Sequence, residues 1–156
     1  MRHRSRTLAL LTAAPLALGT AVSGTAAPSP AVDGTPVSVH VEGLRSTRGQ
    51  VLACLTTRPA AFPDCRDDAT ARKLVVPADR AADLDFGPVA PGRYAVALLH
   101  DENGNGRADM ALVIPREGFG FSRNPAIRFG PPVFTRAAFT VGAVPVRETI
   151  RMRYIL

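Results

Sequence analysis

Downstream of residue 35, apolar and polar residues mostly alternate with a period of two, and no 11-residue window between 36 and 156 holds a helical stripe free of Pro or Gly. In TPVSVHVEGL, Val37, Val39 and Val41 share one face, which predicts a first strand ending near Glu42. RGQVLACLTT predicts a second after a turn at Arg48-Gly49, and the two are expected to pair as a hairpin. KLVVP and ADLDFGPV add further strands. Pro91-Gly92 then turns the chain into RYAVALLH, which puts Tyr94, Val96 and Leu98 on one face and carries His100 to the sheet's edge. AAFTV and VRETIRMRYIL complete the series; in the latter Glu148, Ile150, Met152 and Tyr154 face one way and Arg147, Thr149, Arg151 and Arg153 the other. About seven short strands separated by turns predict an all-β fold, an antiparallel two-sheet sandwich of Ig-like or prealbumin-like type.

Two segments break the alternation. Arg58 to Arg72 contains Pro59, Pro63 and several charges, and reads as a long connection with room for a short helical turn. Asp101 to Pro132 is rich in Gly, Asn, Pro and Arg, which is long for a structureless loop and therefore expected to be functional or held by a ligand.

The N-terminus follows a different rule. Arg2, Arg4 and Arg6 precede an apolar run from Leu8 to Leu18 and small residues up to Ala26, the three parts of a secretory leader. The run is shorter than the roughly 20 residues that span a bilayer. The expected organisation is a leader over 1–26, a linker over 27–35 and one domain over 36–156, exported and without a transmembrane segment once processed. Losing the three leader Arg lowers the formal charge from +6 to +3, with no dense basic cluster, so nucleic acid is not an expected partner. Cys54 and Cys65, with ten residues between them, are expected to form a disulfide in an oxidising compartment.

Candidate chemistry concentrates in HDENGNGRAD, residues 100–109. Asp101, Asn103, Asn105 and Asp109 stand at positions 1, 3, 5 and 9 of a calcium-type loop, with Gly106 at the sharp turn and the Arg107 carbonyl as a seventh-position ligand. Leu112 occupies the position of the usual bidentate Glu, so another carboxylate, Glu102 or Glu117, is needed, and the expected calcium affinity is weak. The competing expectation is a metal-free turn in which Asp and Asn side chains cap backbone amides. An enzymatic alternative uses His100 with the loop acids and Ser122 as nucleophile, although no Gly-x-Ser-x-Gly elbow is present. Phe119 and Phe121, set among Gly and Arg, are candidate contacts for a protein, sugar or peptide partner, the alternative being that they fold back into the core.

FGPVAPGRYAVALLHDENGNGRADMALVIPREGFGFSRN, followed by GPPVFTRAAF, resembles domain-of-unknown-function family 2141 of exported bacterial proteins. The shared pattern is Pro-Gly-x-Tyr-Ala-Val, His-Asp-Glu-Asn-x-Asn-Gly-x-x-Asp and Pro-x-Glu-Gly-x-Gly-Phe-Ser, matched from Pro91 to Ser122, with Val113 standing where the family commonly has Gly. The resemblance implies an exported β-rich domain and assigns no activity. APGRYAV also looks like the corresponding strand of prealbumin-like sandwiches, but the chain ends Arg153-Tyr-Ile-Leu156, unlike the Tyr-Arg-Gly-Ser of the related hydrolases. An iron site of two Tyr and two His would consume Tyr94, Tyr154, His40 and His100 at unsuitable spacing. The leading expectation is a non-catalytic exported module that presents its Gly/Phe loop to an unknown protein or carbohydrate partner. A hydrolase using His100 and a sugar- or peptide-binding module are the alternatives.

Overall fold

The strand from Gly92 to Asp101, β5, is buried on both faces over most of its length, and the rest of the protein is arranged around it. The computed structural model describes residues 33–108, 110–111, 114–127 and 130–156; the expected leader, most of the linker, Asp109, Leu112 and Phe129 lie outside them. The flanking strands are β1 (Thr35–Glu42), β2 (Gln50–Thr56), β3 (Arg72–Pro77), β4 (Asp83–Val89), β8 (Gly118–Phe121), β9 (Phe139–Val141) and β10 (Val146–Arg151). They form a three-stranded sheet in the order β10-β1-β4 and a five-stranded sheet in the order β3-β2-β5-β8, with β9 paired to the start of β5. A short ribbon of β6 (Met110–Ala111) and β7 (Ile114–Pro115) lies in the segment before β8. The fold is thus the expected all-β two-sheet sandwich.

The alternation dictates the packing. Val37, Val39 and Val41 of β1, Leu84 and Phe86 of β4 and Ile150 of β10 meet Val51, Ala53 and Leu55 of β2 and Val96 and Leu98 of β5 in one core between the sheets. Each of the Val, Leu, Ile and Phe side chains contributes about 1.5–3 kcal/mol when removed from water. The opposite face of β5 has its own smaller core, in which Ala95 and Ala97 lie under Phe121, Phe134, Ala137 and Ala138, with Phe62 packed against them. Phe62 belongs to the connection that the Cys54–Cys65 disulfide pins to β2 (Cα–Cα 6.3 Å), so the bridge holds a lid on the outer face of the second sheet. Buried Asp68 ties the same lid to β2 by accepting from Thr56 Oγ1 at 2.5 Å, and from the Thr70 amide and hydroxyl.

Two local expectations are corrected, and one element is new. β1 and β2 do not form a hairpin: β1 pairs in parallel with β10 (Val39 opposite Glu148, Val41 opposite Ile150) and antiparallel with β4. The seven residues 43–49 exceed the usual 2–5 of a hairpin loop and instead cross from one sheet to the other. The strand expected through residue 156 stops at Arg151. There the Met152 amide still bonds the Glu42 carbonyl at 2.8 Å, but Arg153 exchanges two backbone hydrogen bonds with Phe119, so the chain leaves the first sheet and joins the second at β8. Finally, Phe134–Ala137, α1, is a single helical turn that no period announced; its buried Phe134 and Ala137 belong to the outer core.

Candidate functional site

His100 and Asp101 end β5, where three loops gather at one end of the sandwich. His100 has the same parity as Val96 and Leu98, so its ring points inward, and it is fully buried. Nε2 lies 2.9 Å from the Arg48 carbonyl and Nδ1 lies 2.7 Å from the Tyr154 hydroxyl. A carbonyl only accepts, so Nε2 carries the proton and Nδ1 accepts from Tyr154; these partners assign the tautomer. The Tyr154 hydroxyl also accepts from the Arg45 amide at 3.2 Å. Both ring nitrogens are therefore committed to protein partners.

Tyr154 reaches this place because the chain switches sheets at residue 153. Its ring lies against Gly118 of β8: a methyl group added at Gly118 would come within 2.2 Å of the ring. On another side the Arg45 guanidinium stacks over the ring, 4.4 Å from its centre. Burial pushes the Tyr154 hydroxyl above its usual range. Gly49 marks a second close approach. It has φ +69°, and a Cβ there would lie 2.0 Å from the Asp101 carbonyl oxygen, so the crossing loop touches the base of the next loop.

Asp101 is also fully buried, and it organises the run that follows it. Oδ1 accepts from the amides of Gly104 at 2.8 Å and Asn105 at 3.1 Å. Oδ2 accepts from Gly106 N at 2.7 Å and from Gln50 Nε2 at 2.8 Å. Burial opposes ionisation, but the bonds from Gln50 and the three amides outweigh it and hold the carboxyl below the usual carboxylate range. The Asn residues repeat the device at smaller scale: Asn103 Oδ1 accepts from the Asn105 amide and Asn105 Oδ1 from the Arg107 amide, both at 3.0 Å.

Glu102 points to the other side of the strand and closes the loop end. Arg45 donates to its Oε2 through Nε at 3.0 Å and through Nη2, while Ser46 Oγ donates to Oε1 at 2.7 Å. The Arg45 bond is the main reason that the Glu102 carboxyl is lowered to about 2. Arg45 also donates to the Arg116 carbonyl at 3.1 Å, so one guanidinium links the crossing loop, the run after β5 and the turn before β8.

The other candidates are distributed differently. Among the described residues no group of three or more His, Cys, Asp and Glu lies close enough to hold a metal, and Asp109 is outside that set. Ser122 is buried; its hydroxyl donates to the Ala137 carbonyl at 2.6 Å and accepts from the Val96 amide at 2.9 Å. It therefore lies four residues along β5 from His100, roughly 13 Å, and the two are not brought together. The pair of exposed rings is not formed either. Phe121 is 7% exposed in the outer core, and Phe119 is half-buried with its ring 5.9 Å from that of Phe121, because both face the lid. Sequence reasoning missed Arg45, Gln50, Arg48 and Arg116. Only the Arg-Ser-Thr-Arg-Gly spacing before β2 hinted that two cations flank a tight turn.

A two-sheet β-sandwich with a disulfide-pinned lid and a loop end built on buried His and Asp defines a small all-β module. Residues 39–148 match the model of the family described as "Uncharacterized protein conserved in bacteria (DUF2141)", and the chain belongs to that family. No curated protein and no solved structure matches it.

Proposed function

We propose that the protein is a non-catalytic, exported β-sandwich module in which His100 and Asp101 are scaffold residues that fix a loop end for recognition of a partner. One observation carries this reading: every hydrogen-bonding atom of the His100 ring and the Asp101 carboxylate already has a protein partner inside a buried environment. A general base needs a lone pair directed at substrate, and the His100 lone pair is directed at Tyr154. A carboxylate has about four lone-pair sites, and at Asp101 four N–H donors face them. The loop is accordingly held by its own amides, in the role that the 1, 3, 5, 9 spacing offers to calcium.

Export is supported by the Cys54–Cys65 bridge, which belongs to an oxidising compartment, and by the leader pattern of residues 1–26. No helix among the described residues is long and apolar enough to cross a membrane. The test compares wild type with His100→Ala in hydrolysis of simple ester, amide and phosphoester substrates and in thermal melting. The expected result is no turnover above buffer in either protein and a lower melting temperature in the variant. Turnover by wild type that vanishes in His100→Ala, with melting unchanged, would overturn the proposal.

A further inference from the structure

Arg45 and Arg48 of the crossing loop, Glu102 and Asn103 after β5, and Arg116 and Glu117 before β8 line a cleft of about 320 Å³ at the loop end. Its walls are fixed, since Arg45 is bonded to Glu102 and to the Arg116 carbonyl and is stacked on Tyr154. The two carboxylates are not equivalent to the rim. Glu102 is only 13% exposed at its side chain and is satisfied by Arg45 and Ser46; Glu117 is buried, at 4%. Arg48 stands 77% exposed, reaching Glu102 at only 4.0 Å, and Arg116, also exposed, lines the same cleft.

We propose that this cleft binds an oxyanion group, a carboxylate, phosphate or sulfate, gripped by the guanidinium groups of Arg48 and Arg116. The proposal rests on the reading of the protein as a recognition module and names the chemistry of what it recognises. Guanidinium forks match the geometry of such oxyanions, forming two parallel N–H···O bonds where an ammonium offers a point charge. Three Arg and two Glu line the cleft; with Glu102 engaged by Arg45 and Glu117 buried, its exposed charged residues are cationic. Arg45 is already tied down, so the ordering that binding requires falls on Arg48 and Arg116.

The experiment measures melting temperature and calorimetric binding with phosphate, sulfate and citrate as probes, at an ionic strength held constant with sodium chloride. The expected result is a saturable rise in melting temperature with at least one probe, and the relative strength of the three identifies the source of the oxyanion. Arg48→Gln and Arg116→Gln each weaken binding about tenfold, the scale of one charge-assisted hydrogen bond, while Arg136→Gln on α1 leaves it unchanged. Arg48→Lys and Arg116→Lys, which keep the charge and lose the fork, fall between. No saturable response to any probe, a response reproduced by sodium chloride alone, or equal binding by the doubly substituted protein would each overturn the proposal. Failure of the module reading has a separate signature, His100-dependent turnover, so the two outcomes are distinguishable.

Discussion

The Tyr154 hydroxyl lies 2.7 Å from Nδ1 of His100, joining the last residues of the chain to the end of its central strand. The Arg48 carbonyl accepts from Nε2, which leaves Nδ1 facing the Tyr154 hydroxyl. Tyr154 follows the switch of sheets at Arg153, which pairs with Phe119 of β8, so the bond ties the segment after β10 to the end of β5 in the second sheet. Tyr154→Phe leaves a buried acceptor unsatisfied and is expected to cost about 1–3 kcal/mol, and His100→Ala more, because it also leaves a cavity. Urea denaturation monitored by circular dichroism reads both; a Tyr154→Phe protein as stable as wild type would remove the bond from the account.

Gly118 and Tyr154 are coupled by space. A methyl group at Gly118 would lie 2.2 Å from the Tyr154 ring, so Gly118→Ala must displace the ring and is expected to lose about 1–3 kcal/mol through overpacking. Shrinking the partner relieves the clash. In a double-mutant cycle with Tyr154→Ser, the second substitution should make Gly118→Ala nearly neutral. Simple additivity would show that the glycine is required for another reason.

The loop after β5 stands on Asp101. Asp101→Asn replaces an acceptor of four N–H bonds with a group that must turn a donor toward some of them, and is expected to cost about 2–4 kcal/mol. Melting of wild type is expected to be the same in millimolar calcium, in magnesium and in chelator. A calcium-specific rise that chelator reverses, and that Asp101→Ala abolishes, would instead establish a cation in the loop.

The acid side of the stability curve has a defined window. Asp68, held by Thr56 and Thr70, falls from 3.8 to about 2 in the fold, and Glu102, held by Arg45, from 4.5 to about 2. Both folded values are depressed, so the stabilisation is complete above the unfolded values and is lost as pH falls through about 4 toward 2. Measured stability should be flat above pH 5 and should drop over that interval. Thr56→Val and Arg45→Met should each make the drop shallower while lowering the plateau.

Reduction tests the lid. Opening the Cys54–Cys65 bridge, which closes a loop of separation 11, is expected to cost about 3 kcal/mol in the chain-entropy account. The loss should appear as earlier melting in reductant and as proteolytic cleavage between residues 57 and 71. A protein whose melting ignores reductant would show that the Phe62–Phe121–Phe134 contacts hold the lid alone.

Much of this protein is written in local pattern. The period-two runs place β1, β2, β3, β4 and β5 and their inward residues, because a strand that buries one face must repeat apolar residues at every second position. The disulfide was equally legible, since an even count of two cysteines with ten residues between them suggests the Cys54–Cys65 bridge. Partner choice was not. The pairing of β1 with β10 joins residues about 109 positions apart, Val37 with Val146 and Val39 with Glu148, only because both strands bury alternate residues on one core, a condition that many pairings satisfy until all strands are packed. The loop shows the same division. Its spacing of Asp and Asn determined a tight, oxygen-rich turn, whereas only the fold decided what those oxygens face. Gly49 of the crossing loop and Gln50 of β2 enclose Asp101, and the switch of sheets at Arg153 delivers Tyr154 to His100. Hydrophobic periodicity is a property of neighbours in sequence; the saturation of a buried histidine and a buried carboxylate depends on groups that only the closed sandwich brings within hydrogen-bonding distance.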